Sequence, residues 1–245
     1  MLGSPFACDA NFYQTRAGGG STSLLRFPAS ALSTGGAAQG VFGSNLIPLD
    51  LNAIGFRRQD GYMYALQQST QQPKIYRVGQ GGVQLVGTVV TTAGQSPAIP
   101  NNFVPTAGVF DTQGRYYIIG QGSAGVVPQA IYRIDNLVPD GSGNIQVAQV
   151  YTLNVPVVNP GDVSFAPDGN LYAATGTRLI QFRLTGSQAI ATERTIPDVG
   201  GVGSAFLNDA GDLFVLQMAQ EISQKSTLVL VRLSPQGLSA LPQPL

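Results

Sequence analysis

Three residue markers recur in the same order five times along the 245-residue chain, and nothing else in the sequence limits the fold as strongly. A phenylalanine ends a short apolar run at Phe6, Phe56, Phe110, Phe165 and Phe206. Seven or eight residues later stands a second aromatic: Tyr13, Tyr64, Tyr117, Tyr172 and Phe214. After a variable link comes an arginine among apolar neighbours, in LLRF, IYRV, IYRI, QFRL and LVRL. These arginines, Arg26, Arg77, Arg133, Arg183 and Arg232, lie about fifty residues apart. Between the first two markers sit turn-forming clusters such as RRQDG, DTQG, APDG and NDAG, whose Asp, Asn and Gly supply the backbone conformations that tight hairpins need.

Each unit therefore reads as strand A ending at Phe, a turn, strand B with its aromatic, a loop, strand C with its arginine, and a weaker strand D. VQLVGTVV, IQVAQVYTL and AIATERTI are examples of strand D. Four antiparallel strands repeated at this interval predict an all-β chain forming a five-bladed β-propeller of four-stranded antiparallel blades. Closing the sheets into a ring also removes the exposed edges that so many strands would otherwise leave. The expected domain is a single propeller over 1–245, with blades at about 4–45, 46–95, 103–153, 159–197 and 200–245.

Composition agrees with this fold and narrows the chemistry. Gly (31) and Pro (16) are plentiful, which suits many turns, and 43% hydrophobic residues suffice for a core. With 13 basic and 13 acidic residues the formal charge is zero, so no electrostatic footprint for nucleic acid or an anionic membrane is visible. No apolar run is long enough to span a membrane as a helix. Histidine is absent, so no Ser/His/Asp system can form. Tryptophan, the best stacking platform for sugars, is absent too. Cys8 is the only cysteine and reads as a small buried hydrophobe. The opening MLGSPFACDANFYQ lacks the basic stretch and apolar run of a secretion signal.

The recurrent arginines read as packing devices. Their stems would lie across the next blade, and their guanidinium groups would reach carbonyls or turn carboxylates such as Asp60, Asp111 and Asp168. Phe56, Phe110, Phe165 and Phe206 read as core. Strand order places the variable B–C and D–A loops on one face. Polar residues there, Asn52, Asn102, Thr106, Asn159, Asp162 and Gln121, are the expected ligand-binding set around the channel mouth. One acid, Asp162, falls short of the carboxylate pair used in glycoside hydrolysis, so no catalytic residue is assigned. Asp140, Ser142 and Asn144 alternate as Ca²⁺ ligands can, but without a completing glutamate they also suit a plain turn; no metal or cofactor is expected.

The run CDANFYQT…LLRF followed by NAIGFRRQDGYMYAL…KIYRV resembles an uncharacterised β-propeller domain found in large bacterial cell-surface and secreted, adhesin-like proteins. That resemblance implies an extracellular or cell-surface location and a place within a longer multidomain protein. It brings no catalytic residues. Fold, polar loops and missing catalytic side chains together favour a non-catalytic recognition or adhesion module binding a protein or glycan. The alternatives are a lectin-like sugar-binding propeller and, behind it, a hydrolase working through Asp162 and neighbouring amides.

Overall fold

The computed structural model describes residues 3–7, 11–28, 39–40, 47–68, 72–121, 130–157, 160–196, 198, 202–207, 212–217, 228–232 and 239–240. Among these, every regular element is a strand. The first set comprises β1 (Asn11–Gly18), β2 (Ser21–Pro28) and β3 (Gln39–Gly40). The second runs β4 (Leu51–Arg57), β5 (Tyr62–Gln67), β6 (Lys74–Gly79) and β7 (Gly82–Val90). The third holds β8 (Val104–Phe110), β9 (Tyr116–Gln121), β10 (Ala130–Ile134), β11 (Asn144–Gln146) and β12 (Gln149–Leu153). The fourth holds β13 (Val163–Phe165), β14 (Leu171–Thr175), β15 (Arg178–Thr185) and β16 (Gln188–Thr195). The last holds β17 (Val202–Leu207), β18 (Asp212–Gln217), β19 (Leu228–Arg232) and β20 (Ser239–Ala240). Within the sets, neighbouring strands pair antiparallel as the repeat predicts.

The sets stack face to face, which explains why their central strands are apolar at consecutive positions rather than at alternate ones. In β9, Tyr116 and Ile118 pack toward the second set, while Tyr117 and Ile119 pack toward the fourth. The same division holds in β5, where Tyr64 and Leu66 face the third set and Met63 and Ala65 the first. In β14, Leu171 and Ala173 face the third set, and Tyr172 and Ala174 the last. A sheet buried on both faces is the interior unit of a radial stack.

Three features differ from the sequence reading. The segment around Phe6, expected as strand A of the first unit, lies over the second set instead. Ser4 bridges to Gln80, and the Phe6 amide donates to the Gly61 carbonyl at 2.7 Å. The innermost place of the first set falls to β1, which packs beside β4. Next, the single expected strand IQVAQVYTL is two. β11 leaves its own unit to pair parallel with β7, and β12 completes the third set. Finally, β12 pairs parallel with β16 at Thr152–Gln188 and Leu153–Ala189, which fuses the third and fourth sets into one eight-stranded sheet.

The recurrent arginines also find other partners. Arg77 donates to Gln84 at 2.9 Å and stacks over the Tyr62 ring at 4.7 Å. Arg133 forks onto Asp135 at 2.7 and 3.0 Å and reaches the Tyr151 hydroxyl at 2.8 Å. Arg26 and Arg183 are exposed. The Arg232 side chain lies outside the described residues. The turn carboxylates are taken by tyrosines of strand B: Tyr64 donates to Asp60 at 2.7 Å, Tyr117 to Asp111 at 3.2 Å and Tyr172 to Asp168 at 2.9 Å. The other oxygen of each carboxylate accepts a turn amide, from Tyr62, Gln113 and Asn170 respectively. Each hairpin is thus latched to its own second strand.

Candidate active site

From the second set to the last, strand A enters from the variable-loop side and leaves at the short A–B turn. In the first set β1 takes its place beside β4, so the innermost strands stand side by side. They enclose a cavity of about 310 Å³, to which the innermost strands of all five sets contribute. Asn11 and Tyr13 come from β1, Ile54 and Phe56 from β4, Gly108 and Val109 from β8, Val163 from β13 and Phe206 from β17. Most of this wall is apolar. Among the described residues its charged members are Asp162, just before β13, and Arg58, just beyond β4.

Two strand sets hold the Asp162 carboxylate. The Val163 amide donates to Oδ1 at 2.9 Å, and the Ala205 amide of β17 donates to Oδ2 at 3.3 Å. Amide donors favour the charged form of a carboxylate. Nearby, the Tyr116 phenol is wholly buried. Burial, and behind it the negative charge of Asp162, pushes its pKa well above the ordinary range. Tyr116 remains a neutral donor and gives its hydrogen to the Ala53 carbonyl. The result is one fixed negative charge in a small, largely apolar chamber.

Arg57 and Arg58 are adjacent in sequence but differ in role. Arg57 pairs with Asp60 at 2.9 Å within the turn. Arg58 is exposed at the cavity wall, with no ion-pair or hydrogen-bond partner among the described residues. Aligning the units on their phenylalanines shows both charged positions to be departures from the repeat. Three residues before each Phe stand Gly3, Ala53, Ala107, Asp162 and Gly203. Two residues after each Phe stand Cys8, Arg58, Thr112, Pro167 and Asn208. The other units show that neither charge is needed to build the sheet or its turn.

Of the described residues expected to bind ligand, only Asp162 lines the cavity. Asn52 is half-buried, and its Oδ1 accepts from the Ala53 amide at 2.9 Å. Thr106 is buried at a bulge in β8 and donates to the Ile119 carbonyl at 3.3 Å. Asn102 lies half-buried in the turn before β8, and Gln121 ends β9 opposite Val104. Asn159 lies outside the described residues. At the calcium-like string, Asp140 Oδ1 accepts the amides of Ser142 and Asn144 at 2.8 and 2.9 Å, and Oδ2 accepts from Gln146 at 3.0 Å. That is a closed turn, with both carboxylate oxygens occupied by N–H donors. Among the described residues no three acidic or cysteine side chains converge on a point. Arg58 and Asn11 were not anticipated, although the departure of Arg58 from the repeat is visible in the sequence.

A family profile matches residues 12–227, and the chain belongs to that family, described as a repeat of unknown function, DUF6923. A comparison with curated proteins finds no match. Solved structures with a similar fold include a protein of unknown function from Bacteroides caccae, with a TM-score of 0.52, 10% identity and coverage of 92% of this chain and 70% of that one. Virginiamycin B lyase from Staphylococcus aureus matches with a TM-score of 0.51, 14% identity and coverage of 99% and 70%. A gluconolactonase from Xanthomonas campestris matches with a TM-score of 0.50, 11% identity and coverage of 100% and 89%. At such identities the likeness carries the fold alone, a propeller-like all-β ring. That fold houses enzymes, so the expectation of a non-catalytic recognition or adhesion module is corrected. The step from propeller and absent histidine to absent catalysis does not hold.

Proposed function

We propose that the chain is an enzyme acting on a small molecule in the central cavity, with Asp162 as its general base. The observation that carries this reading is the amide-anchored Asp162 carboxylate in a largely apolar wall. A carboxylate there can remove a proton either from a ligand carbon or from an attacking water. Elimination and ester opening each begin with one of these steps. Both reaction classes are represented among the folds that resemble this one, in a lyase and a gluconolactonase. The size of the cavity sets the substrate scale, since about 310 Å³ lies at the small end of ligand sites.

The test is turnover of a panel of lactones and cyclic esters by the wild-type protein and by Asp162→Asn. The amide keeps the shape and loses the base, so turnover should fall by ~10²–10⁴-fold with the fold intact. Activity that survives the substitution unchanged overturns the reading. The same proposal takes the five strand sets as a five-bladed single domain over 1–245, supported by the contribution of every innermost strand to one cavity. An experimental structure with another number of sheets around the axis would contradict it. It also places the protein outside the cell, on its low lysine content and polar loops; fractionation of the producing cells checks this.

A further inference from the structure

We infer that the substrate is a small monoanion, a ring- or chain-bearing carboxylate whose acidic group is held by Arg58 at the turn end of the cavity. This inference rests on the catalytic reading only for its second half, the placement of the reacting end at Asp162. The first half stands on Arg58 itself.

Three observations lead to it. Arg58 lines the cavity without a partner among the described residues, whereas Arg57, Arg115, Arg133 and Arg178 each pair with a carboxylate. An arginine left over beside a cavity presents a planar fork of donors suited to a carboxylate. Next, the corresponding turn position carries Thr112 and Pro167 in the third and fourth sets, so hairpin closure does not call for a cation there. Finally, the two charges lie toward opposite ends of the chamber. Asp162 precedes the first residue of an innermost strand, and Arg58 follows the last residue of one. The wall between them offers Ile54, Phe56, Val109, Val163 and Phe206.

A molecule complementary to this wall has an anionic end, an apolar middle and a proton-donating or proton-losing end. A dianion is disfavoured, because its second charge would meet Asp162. The volume sets the scale: about 310 Å³ lies at the small end of ligand sites. Phenylacetate and 4-hydroxyphenylacetate have this scale and polarity and serve as probes.

The experiment is calorimetric titration of the intact protein with phenylacetate, 4-hydroxyphenylacetate and neutral phenylacetamide. Variants Arg58→Ala and Arg58→Lys are titrated in parallel. The expected result is binding of the carboxylates in preference to the amide. Arg58→Ala should weaken the carboxylates by about tenfold to a hundredfold, Arg58→Lys should weaken them less, and the amide should be unaffected by either. Arg58 is exposed in a turn, so both variants should keep the wild-type melting temperature. Equal binding of acid and amide, binding indifferent to Arg58, or no binding of any probe overturns the inference. Asp162→Asn separates the two readings. Loss of turnover in that variant with Arg58-independent binding leaves the general base standing and removes the anion site. Arg58-dependent carboxylate binding with turnover indifferent to Asp162 does the reverse.

Discussion

At Gly108 the innermost strands β4 and β8 come so close that a side chain has no room. A Cβ built there would overlap the Ala53 carbonyl oxygen and lie 2.7 Å from the Tyr116 hydroxyl. Ala53 itself has a φ of 53°, an uncommon conformation for a residue with a side chain, at the bulge between Asn52 and Gly55. The bulge aims the Ala53 carbonyl at Tyr116, which donates to it from full burial. Gly108→Ala should therefore force the strands apart and destabilise the protein by about 2–4 kcal/mol, measured by denaturant titration. A loss below about 0.5 kcal/mol would mean that the contact relaxes freely. Asp162 belongs to this scale as well. It occupies a position filled by Gly or Ala in the other units, so its charge is an addition to the repeat rather than a part of it.

The hairpin latch is the unit of construction at the scale of elements. In three sets a turn aspartate accepts a tyrosine hydroxyl from strand B. In the last set the tyrosine position holds Phe214, which stacks on Phe206 at 5.1 Å instead. Burial, followed by the hydrogen bond and charge of Asp60, pushes the Tyr64 phenol up to about 12. Burial, then the Asp111 charge, does the same for Tyr117, and burial, then Asp168, for Tyr172. A phenol whose folded pKa lies above the ordinary value of about 10 stabilises the fold fully below pH 10. That contribution is lost as pH rises through about 12. Alkaline titration should therefore show these tyrosines ionising together with unfolding between about pH 10 and 12. Tyr64→Phe should remove part of that sensitivity. Ionisation near pH 10 in a protein that stays folded would show that the latches do not hold.

Among the described residues the core clusters each join neighbouring sets, while the outer edges are stitched by β11 on β7 and by β12 on β16. Stacked repeats with strong interfaces unfold together. Phe182 is fully buried between the third and fourth sets. Phe182→Ala should cost about 3–5 kcal/mol and still leave a single thermal transition seen alike by far-ultraviolet and tyrosine signals. Two separated transitions would mean that the sets fold as independent modules.

Much of this architecture is legible in the residues themselves. The spacing of Phe, aromatic and Arg identifies the strands and their order, because strand propensity, turn chemistry and pairing with the next strand are local. The continuous apolar runs at Tyr116–Ile119 likewise announce a sheet buried on both faces. The partners of the arginines, the splitting of β11 from β12 and the displacement of the Phe6 segment onto the second set depend on groups distant in sequence, so no local pattern records them. The site divides along the same line. Asp162 could be singled out as a lone acid, but its amide anchor from Ala205 crosses 43 positions of the chain. That it shares one chamber with Arg58 is decided only when the innermost strands are brought together. Local chemistry specified the sheets; packing between them made the cavity and chose which charges face it.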